Sequence, residues 1–446
     1  MNVKIIGTGY VGLISGLCLS LEHQVKCVDI NPSIVENINK GKAHLYEKGL
    51  SDLLKKQLKS GNFESILFKN LSLLNTDIVL ICVGTPSLEN GDCDLSYINS
   101  AIKSLIPLLL DIKHNISIII KSTVPSGTVT NLLKKTIREH LPLNLYPNIS
   151  FGMNPEFLRE GSAISDFLEP DRIVLGSECE ISNNHLIELY KHFDCPKLKV
   201  NSSTAEMIKY VNNSLLALQI SAVNEFSRIC ENIENVDIRD VMNGVLHDKR
   251  WQSNKDHNIS PSIHNYLKAG CGFGGSCFPK DVKALSKFAS SHNIKTPILD
   301  GVLSINKDQP SFIIKKIGKF IDISKAKVLL LGIAFKPETD DIRDSPSHLF
   351  IKDLSKVGAE IYVHDPLVLS KLKCHHSSKY LKDSSYIENY ENILPQIDVI
   401  IIITSWSCYL KLPSLVTKNN KIIFDSRGIF NSNNFPESNY LTVGLK

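Results

Sequence analysis

The sequence predicts an α/β protein in which two doubly wound, Rossmann-like domains are joined by a helical central domain with a long helix. Three observations favour this class. A glycine-rich turn, Gly7–Gly12, lies between a short apolar strand and an apolar helix. The same strand and turn outline returns from Lys327 onward. Between them a mostly apolar helical pattern runs from Ser203 to about Asn232. Strands that alternate with helices are typical of parallel sheets covered on both faces.

Size and composition describe an ordinary globular chain. Its 446 residues exceed what one hydrophobic core usually holds, so two or three domains are expected. A formal net charge of +4 is small for this length and gives no reason to expect a nucleic-acid partner. The longest apolar runs, such as Val399–Ile403, are too short to cross a bilayer, so no membrane partner is expected.

The cysteines bear on compartment and metals. There are 11 of them, without the paired spacing of a metal site, and no secretory signal precedes the first strand. This pattern is typical of the reducing cytoplasm. We therefore predict a cytoplasmic protein with no metal site.

The first turn carries the signature of a dinucleotide site. Gly7 makes the tight turn, Gly9 lets a pyrophosphate approach, and Gly12 lets the helix pack on the strand. Phosphates would bind the free N–H groups at the helix N-terminus. Asp29 ends the next strand, 17 residues after Gly12, where its carboxylate would bind the adenosine ribose and repel the extra phosphate of NADP. The sequence therefore predicts NAD as the cofactor. The alternative is a tight strand–helix turn that binds no ligand.

Small polar residues follow two further strands of this domain. The strand Asp77–Val83 stops at Gly84-Thr85-Pro86, and Ile116–Ile120 stops at a segment that contains Thr123. Ligands of open α/β sheets bind at this edge, so both threonines are candidates for cofactor or water contacts. From position alone, hydroxyls that cap the following helices are an equal alternative. Arg172–Gly176 is predicted as the last strand of the domain.

Two acids lie four residues apart in the segment Asn154–Gly161. If Glu156–Glu160 is one turn of helix, both carboxylates share a face. The alternative is a solvated face with Arg159 beside it.

The long helical pattern opens with Ser203–Glu206, which has the spacing of a capping box. Glu206, Lys209 and Asn213 then form one polar stripe on an otherwise apolar helix. Lys209 and Asn213 could donate hydrogen bonds to an oxyanion at a buried site. A surface stripe at a domain junction is the alternative. The length and apolarity of the helix also suit a subunit interface.

The stretch Gly270–Asp281 has four glycines in its first six residues and then places Cys277 ahead of a lysine and an aspartate. Glycines at this density indicate that the backbone lies close to something. A nearby cation favours a thiolate, so Cys277 is a candidate nucleophile. An ordinary buried cysteine in a tight turn is the alternative. Ala284–Ser291 is predicted to be a helix.

The C-terminal third repeats the opening pattern in outline. After a linker helix, about Asp300–Ile321, three strand patterns echo those of the first domain: Lys327–Gly332, Ala359–Asp365 and Ile397–Thr404. The glycine fingerprint is absent, because Ala334-Phe335-Lys336 stands in its place. Cations that follow strand ends could hold the phosphates of a second ligand, and surface salt bridges are the alternative for each. These cations are Lys336, Arg343 and Arg427.

Taken together, these motifs resemble the UDP-glucose 6-dehydrogenases of the UDP-glucose/GDP-mannose dehydrogenase family, over almost the whole chain. The resemblance rests on Gly7–Gly12, Gly84-Thr85-Pro86, Ser122–Pro125, Asn154–Gly161, Gly272–Asp281 and Gly332–Arg343. It implies that the C6 alcohol of UDP-glucose is oxidised to an aldehyde and then to a carboxylate, with two NAD per sugar. Cys277 would form a thiohemiacetal and then a thioester, which water hydrolyses. A thiolate is the nucleophile that forms such an intermediate readily.

The resemblance also implies roles for individual residues. Lys209 and Asn213 match oxyanion stabilisers, Asp281 and Thr123 match residues that position the base and the hydrolytic water, and Glu156 matches an acid–base residue. With Cys277, these are the predicted catalytic residues. The predicted cofactor contacts are Gly7, Gly9, Tyr10, Val11, Gly12, Asp29, Thr85, Thr123, Glu160, Lys280 and Arg343. The predicted substrate contacts are Glu156, Phe157, Leu158, Lys209, Asn213, Tyr266, Gly272, Gly274, Phe335, Lys336 and Arg427.

The domain boundaries follow from the motifs. We predict an NAD-binding Rossmann domain at 1–200, a helical central and dimerisation domain with the cysteine loop at 201–300, and a linker helix with a UDP-sugar-binding domain at 301–446. A homodimer or a higher homo-oligomer is expected. Two positions depart from the family pattern: Ile34 stands in place of a basic residue, and Asn258 in place of an arginine that reaches the neighbouring subunit's substrate. Arg250 is the candidate replacement.

Two other functions remain open at this stage. A sister enzyme would oxidise another nucleotide sugar, such as a UDP-N-acetylhexosamine or GDP-mannose, although the residues after Cys277 read as the glucose type. A non-catalytic NAD-binding protein would have no use for a nucleophile beside Lys209 and Asp281.

Overall fold

The structure is a computed structural model that describes residues 1–252, 261–368, 382–416 and 421–445. The chain divides into two units, Met1–Asn212 and Asn213–Lys446. The three-domain division at 1–200, 201–300 and 301–446 stays a prediction.

Unit 1 contains an eight-stranded sheet in the order β3-β2-β1-β4-β5-β6-β7-β8. The pairs are parallel except β6 with β7, which are antiparallel. The strands are β1 (Asn2–Ile6), β2 (Gln24–Asp29), β3 (Phe63–Leu67), β4 (Ile78–Ile81), β5 (Ile116–Ile120), β6 (Ile149–Met153), β7 (Ile173–Ser177) and β8 (Lys197–Val200).

The prediction that the strand at Arg172–Gly176 is the last is wrong. Strand β8 was missed because its Lys-Leu-Lys-Val sequence lies at the sheet edge, half exposed, without the apolar run of a buried strand.

The helices of unit 1 cover two separate apolar cores. They are α1 (Tyr10–Leu19), α2 (Pro32–Asn39), α3 (Leu50–Ser60), α4 (Ser96–Leu109), α5 (Lys135–His140), α6 (Ala163–Leu168) and α7 (Glu180–Leu189), and a π-helical segment, Val129–Lys134, leads into α5. Ile5 belongs to one core and Ile6 to the other. Successive strand residues point to opposite faces, so both faces of this sheet are apolar and covered.

The long helix α8 (Ser202–Cys230) contains the boundary between the units. It begins one residue earlier than predicted, and the capping box is wrong. The Asn201 side chain accepts the N–H of Thr204 at 2.7 Å and so caps the helix. Glu206 instead accepts the N–H groups of Gly127 at 2.5 Å and Val129 at 2.8 Å, beside the π-helical segment.

Unit 2 contains a six-stranded sheet in its described part, in the order β11-β10-β9-β12-β13-β14, with parallel pairs throughout. The strands are β9 (Lys327–Leu331), β10 (Glu360–His364), β11 (Ser385–Tyr386), β12 (Val399–Ile402), β13 (Ile422–Asp425) and β14 (Asn439–Thr442). Among the described residues, the α-helices that follow α8 are α9 (Ile238–Leu246), α10 (Phe278–Ser291), α11 (Pro297–Ile317), α12 (Pro346–Val357) and α13 (Leu412–Leu415).

The predicted fold class is therefore confirmed: each unit has a doubly wound, Rossmann-like sheet, and the central part of the chain is helical. Helix α10 starts at Phe278, six residues before the predicted Ala284, because Pro279 falls in the first turn, where proline is tolerated. No helix among the described residues is both long and apolar enough to cross a membrane.

Candidate active site

The first glycine turn has the geometry of a phosphate cradle. Gly7 has a φ of +96°, and a Cβ on Gly12 would lie 1.9 Å from the Gly7 carbonyl oxygen, so α1 packs directly on the turn. A Cβ on Gly9 would meet no protein atom within 4 Å. The space over the N-terminus of α1 is therefore open to a ligand, and the residues present fit the pyrophosphate of NAD. Tyr10 and Val11 form the first turn of the helix.

Asp29 lies where the sequence predicts, at the carboxyl end of β2 and beside the glycine turn. Its carboxylate accepts the N–H of Thr8 at 3.0 Å and that of Asn31 at 2.9 Å, and the Thr8 hydroxyl also donates to it. These bonds fix the carboxylate at the sheet edge. Its contact with the adenosine ribose stays a prediction.

Thr85 and Thr123 are brought together at the same edge. The Thr85 hydroxyl donates to the Thr123 carbonyl oxygen at 2.9 Å. The capping alternative is wrong for Thr85, because the next helix, α4, begins only at Ser96. Their cofactor and water contacts remain predictions.

The segment around Glu156 is not the predicted turn of helix. Residues 154–159 have no regular structure, so Glu156 and Glu160 do not share a helix face. Glu156 is held instead by hydrogen bonds that a helix would not make. The buried Glu156 carboxylate accepts the Leu158 N–H at 2.6 Å and the Lys209 ammonium at 2.9 Å. Lys209 also donates to the Glu156 carbonyl oxygen at 2.7 Å. Arg159 forms an ion pair with Asp166.

The charge of Glu156 is held by this pairing. Burial alone would raise the pKa of its carboxyl, but the Lys209 ammonium and the Leu158 N–H favour the carboxylate, and the net pKa shift is downward. Glu156 is therefore an ionised acceptor rather than a proton donor. The neighbouring predicted contacts Phe157, Leu158 and Glu160 are all partly buried.

The polar stripe of α8 is buried, so the surface-stripe alternative is wrong. Glu206, Lys209 and Asn213 are each less than 5% exposed. Lys209 and Asn213 are one helical turn apart and hence on one face of α8. Lys209 contacts Glu156 within unit 1. In unit 2, Asn213 donates to Asp281 at 2.7 Å.

Cys277 occupies the N-cap position of α10. Its carbonyl oxygen accepts the N–H of Asp281 at 2.8 Å, which closes the first turn of the helix, and its thiol is half-buried. The N-terminal end of a helix favours negative charge. The ordinary-buried-cysteine alternative fits poorly with a partly accessible thiol at this position.

Asp281 is the most enclosed of the predicted catalytic acids, at 1% exposure. One of its oxygens accepts the Asn213 amide at 2.7 Å, and the other accepts the Lys280 ammonium at 2.6 Å. A carboxylate with both oxygens occupied is a fixed acceptor. The predicted cofactor contact Lys280 is thus held by its neighbour in the sequence.

The glycines before Cys277 are required by a neighbouring loop. A Cβ on Gly274 would lie 2.3 Å from the Asp344 carbonyl oxygen, and Gly275 donates its N–H to the Arg343 carbonyl oxygen at 2.8 Å. Gly272 has a φ of +95°. Asn306 of α11 holds both backbone groups of Phe273, at 2.7 and 3.0 Å. The cysteine loop is therefore fixed on the loop that carries Phe335, Lys336 and Arg343.

The three predicted phosphate-binding cations have protein contacts. Arg343 forms an ion pair with Asp341 at 2.8 Å, as the salt-bridge alternative expects. Arg427 donates its Nε–H to the Ile403 carbonyl oxygen at 2.6 Å. The Lys336 ammonium lies 5.6 Å from the centre of the Phe335 ring. Their ligand contacts remain predictions.

Two other predictions concern the loop before the glycines. The Tyr266 ring lies 6.1 Å from that of Phe278, at the start of α10. Asn258 lies outside the described residues. Arg250, its candidate replacement, is an exposed residue paired with Asp248, and its role stays a prediction.

Lys121 is a buried lysine near Glu156 for which the sequence predicted no role. Lys121, just after β5, donates to the Asn154 side chain at 2.9 Å and to the Tyr190 hydroxyl at 3.4 Å. Burial lowers the pKa of its ammonium to about 8, although Cys82 and Glu156 oppose the shift. A cavity of about 90 Å³ is lined by these residues and Glu156. The only local signal for this site was a lysine at a strand end, which is usually a surface feature.

Comparison with known proteins agrees with this geometry. Residues 1–194 match the NAD binding domain of the UDP-glucose/GDP-mannose dehydrogenase family, residues 203–308 its central domain, and residues 329–432 its UDP binding domain.

Individual relatives match over the whole chain. The UDP-glucose 6-dehydrogenase YwqF of Bacillus subtilis is 36% identical over 438 residues, which cover 96% of this chain and 94% of that protein. The UDP-glucose 6-dehydrogenase of Rickettsia conorii is 35% identical, and the match covers 100% of this chain and 100% of that protein. The solved structure of a UDP-glucose dehydrogenase from Pyrobaculum islandicum has a TM-score of 0.88 at 34% identity, over 100% of this chain and 98% of that one.

The open glycine turn beside Asp29 lies within the matched NAD binding domain, so NAD is the cofactor. The matches in the three parts of the chain occur in the order that the family has them. This chain is therefore an NAD-dependent dehydrogenase that belongs to the UDP-glucose/GDP-mannose dehydrogenase family.

Proposed function

We propose that this protein oxidises UDP-glucose at C6 to UDP-glucuronate in two steps on one sugar. The observation that carries the proposal is Cys277 at the N-terminal end of α10, one turn from the buried Asp281–Asn213 pair. A dehydrogenase that stopped at the aldehyde would need no nucleophile there. The names of the Bacillus, Rickettsia and Pyrobaculum relatives support UDP-glucose as the sugar.

In the first half of the proposed reaction the C6 alcohol loses a hydride from carbon and its hydroxyl proton, which goes to solvent, and becomes an aldehyde. NAD, when bound, accepts a hydride in each of the two oxidations. The Cys277 sulfur then attacks C6, a C–S bond forms, and the carbonyl electron pair moves to oxygen. Lys209 and Asn213 supply hydrogen-bond donors for that oxyanion, by resemblance to the family. Lys209 is held by Glu156, and Asn213 by Asp281.

The second half converts the thiohemiacetal into a carboxylate. C6 loses a hydride and the thioester forms. Water then adds to C6, the C–S bond breaks, and Cys277 leaves as the thiolate. Glu156 is suited to take a proton from that water because Lys209 keeps it ionised. Thr123 is assigned to position the water. A thiol that must cycle through the thiolate suits the reducing cytoplasm, where we place the protein.

We also propose that two copies associate through α8. Leu215, Phe226 and Ile229 recur on one face of this helix and are 53%, 49% and 57% exposed. Large apolar side chains in such a row are typical of a protein–protein interface. Light scattering should give the mass of a dimer or of a larger even-numbered oligomer. Phe226→Glu should lower that mass, and a monomeric unaltered chain would contradict the proposal.

The test of the reaction is the NADH formed per sugar, with limiting UDP-glucose and excess NAD. Two NADH per UDP-glucose are expected. One would mean that the aldehyde escapes, which contradicts the thioester step. None with UDP-glucose, but turnover of GDP-mannose or a UDP-N-acetylhexosamine, would correct the sugar and keep the reaction.

Cys277→Ala should stop product release and leave NADH binding intact. The matched control is Cys179→Ala, at an exposed cysteine of unit 1, which should keep full activity. Full turnover by Cys277→Ala would exclude the covalent mechanism.

A further inference from the structure

Glu47 is a buried carboxylate between two segments with assigned ligand contacts. It lies just before α3 and is 6% exposed. One oxygen accepts the Tyr10 hydroxyl and the N–H of Gly161, the latter at 2.7 Å. The other oxygen accepts the N–H of Ala163 at 2.9 Å. No sequence motif pointed to this residue.

Its partners belong to different segments of unit 1. Tyr10 is the first residue of α1, where the helix meets the open glycine turn. Gly161, which has a φ of +84°, directly follows Glu160. Glu160 is a predicted cofactor contact, and the same segment carries the predicted substrate contacts Glu156, Phe157 and Leu158. One side chain thus spans from the cofactor turn to the end of the proposed substrate segment.

The carboxylate depends on these donors. Within residues 1–252, 261–368, 382–416 and 421–445, no Lys or Arg side chain forms an ion pair with Glu47. A buried carboxylate without a cation needs its hydrogen bonds, since each unsatisfied charged group is costly. A shift of either segment would break a charge-assisted bond, so the two segments are expected to move together.

Glutamine cannot replace this carboxylate. Both oxygens of Glu47 accept, whereas an amide offers one acceptor oxygen and an NH₂ donor. In either orientation of the amide that Glu47→Gln introduces, at least one of the Gly161 and Ala163 N–H groups would face that donor. Glu47→Gln therefore keeps the shape of the side chain and removes at least one of its hydrogen bonds to Gly161 and Ala163.

We propose that Glu47 is a positioning residue that links the NAD turn to the substrate segment, so that each ligand strengthens the binding of the other. The inference rests on the proposed function for the identity of the sugar. Coupling between two sites is reciprocal, so it can be measured from either ligand. Glu47 itself contacts neither ligand in this scheme.

The test is a fluorescence titration of the full-length protein with NADH, alone and with saturating UDP-glucose. No turnover occurs, because NADH is already reduced. In the unaltered protein, UDP-glucose should tighten NADH binding threefold or more. In Glu47→Gln and in Tyr10→Phe this factor should fall toward one, and combining the two changes should lower it no further.

The matched control is Glu36→Gln, at an exposed glutamate of α2 that pairs with Lys40. It should keep the full coupling factor. A purely structural role for Glu47 would lower stability without changing the ratio of the two NADH affinities. If Glu47→Gln does not fold, Tyr10→Phe decides alone, since it removes one bond and keeps those to Gly161 and Ala163.

Coupling that is absent from the unaltered protein, or that survives in Glu47→Gln, would overturn the proposal. UDP-glucose oxidation is measured on the same preparation. A chain that does not oxidise it refutes the choice of sugar rather than the role of Glu47, and the titration is then made with the nucleotide sugar that is oxidised. If no nucleotide sugar is oxidised, both proposals fail.

Discussion

The sheets of the two units begin alike and differ in the turn that follows the first strand. Gly7 after β1 and Gly332 after β9 have φ values of +96° and +104°. Each donates its N–H at 2.8 Å to the neighbouring strand, to Val28 and His364 respectively. Beyond this point the first turn is open at Gly9, whereas the second continues into Ala334 and Phe335.

The acids at the ends of β2 and β10 show what the difference means. Asp29 accepts the Thr8 N–H, and Asp365 likewise accepts the N–H of Ile333 at 2.8 Å. The same Asp365 oxygen also accepts the Ala334 N–H at 3.0 Å and the Trp406 indole N–H at 3.1 Å, and the residue is 1% exposed. Asp29 is only partly buried beside the open turn, whereas both oxygens of the buried Asp365 are occupied by donors of unit 2. A shared topology therefore does not imply a shared ligand.

The largest effect is expected from Gly12→Ala. The added methyl would lie 1.9 Å from the Gly7 carbonyl oxygen, which is backbone and cannot move aside easily. We expect NADH binding to be lost and stability to fall by about 3 kcal/mol or more, because overpacking here displaces the whole turn. Fluorescence titration and thermal unfolding would measure the two effects.

Gly9→Ala is the matched control in the same turn. A Cβ at Gly9 meets no protein atom within 4 Å, so folding should be unchanged. Because the methyl would occupy the approach of the pyrophosphate, NADH should bind about tenfold more weakly or worse. Unchanged NADH affinity in Gly9→Ala would place the cofactor elsewhere.

The next largest effect is expected from Asp365→Asn in unit 2. Both oxygens of Asp365 are occupied. One accepts the Trp406 indole N–H, and the other accepts the backbone N–H groups of Leu367 and Val368. An amide would set its NH₂ group against several N–H donors, and we expect a loss of about 2–4 kcal/mol in stability. NADH affinity should not change.

Asp29→Asn should show the opposite balance, with a larger loss of NADH affinity than of stability. Urea unfolding and NADH titration of both variants would sharpen the comparison. If Asp365→Asn weakened NADH binding as much as Asp29→Asn, the two acids would not have separate roles.

The sequence was sufficient where the determinants are local. Gly7, Gly12 and Asp29 are positioned by a strand, a turn and a strand that follow one another, so spacing alone predicts where they lie. The position of Cys277 could be predicted for the same reason, because it follows the glycine loop directly in the sequence. Eight strands could be predicted from apolar runs, because strands buried on both faces show them clearly: β1, β2, β4, β5, β7, β9, β10 and β12. The other six described strands, β3, β6, β8, β11, β13 and β14, were not predicted.

Prediction failed where the partner is distant in the sequence. Glu156 leaves the helix pattern because it is held by Lys209, 53 residues away. The glycines before Cys277 are explained by Asp344, in a loop that no local pattern connects with them. Glu47 and Lys121 have no motif of their own, and only the fold brings their partners together. Local periodicity predicts elements, whereas buried polar contacts depend on the tertiary structure.

The smallest effect concerns two glutamates, one near the start of α8 and one directly after its end. Glu231, in unit 2, has a cation beside it, since the Lys316 ammonium lies 3.1 Å away. Glu206, in unit 1, is fully buried, and among the residues that the structure describes no Lys or Arg forms an ion pair with it. Burial raises the pKa of the Glu206 carboxyl from 4.5 to about 7, although the N–H groups of Val129 and Gly127 oppose the shift.

Because the pKa of Glu206 is higher in the folded protein than in the unfolded chain, the stability of the folded state falls as the pH rises. The contribution of Glu206 is fully present below pH 4.5 and is lost as the pH rises through about 7. Between pH 5 and 7.5 the unaltered protein should therefore lose about 2–2.5 kcal/mol of stability relative to Glu206→Gln. Urea midpoints of both proteins across this range would measure it, with the exposed Glu36→Gln as the control. Parallel curves for the unaltered protein and Glu206→Gln would show that Glu206 is already ionised at pH 5. Glu206 would then carry its charge in the folded protein without a cation beside it.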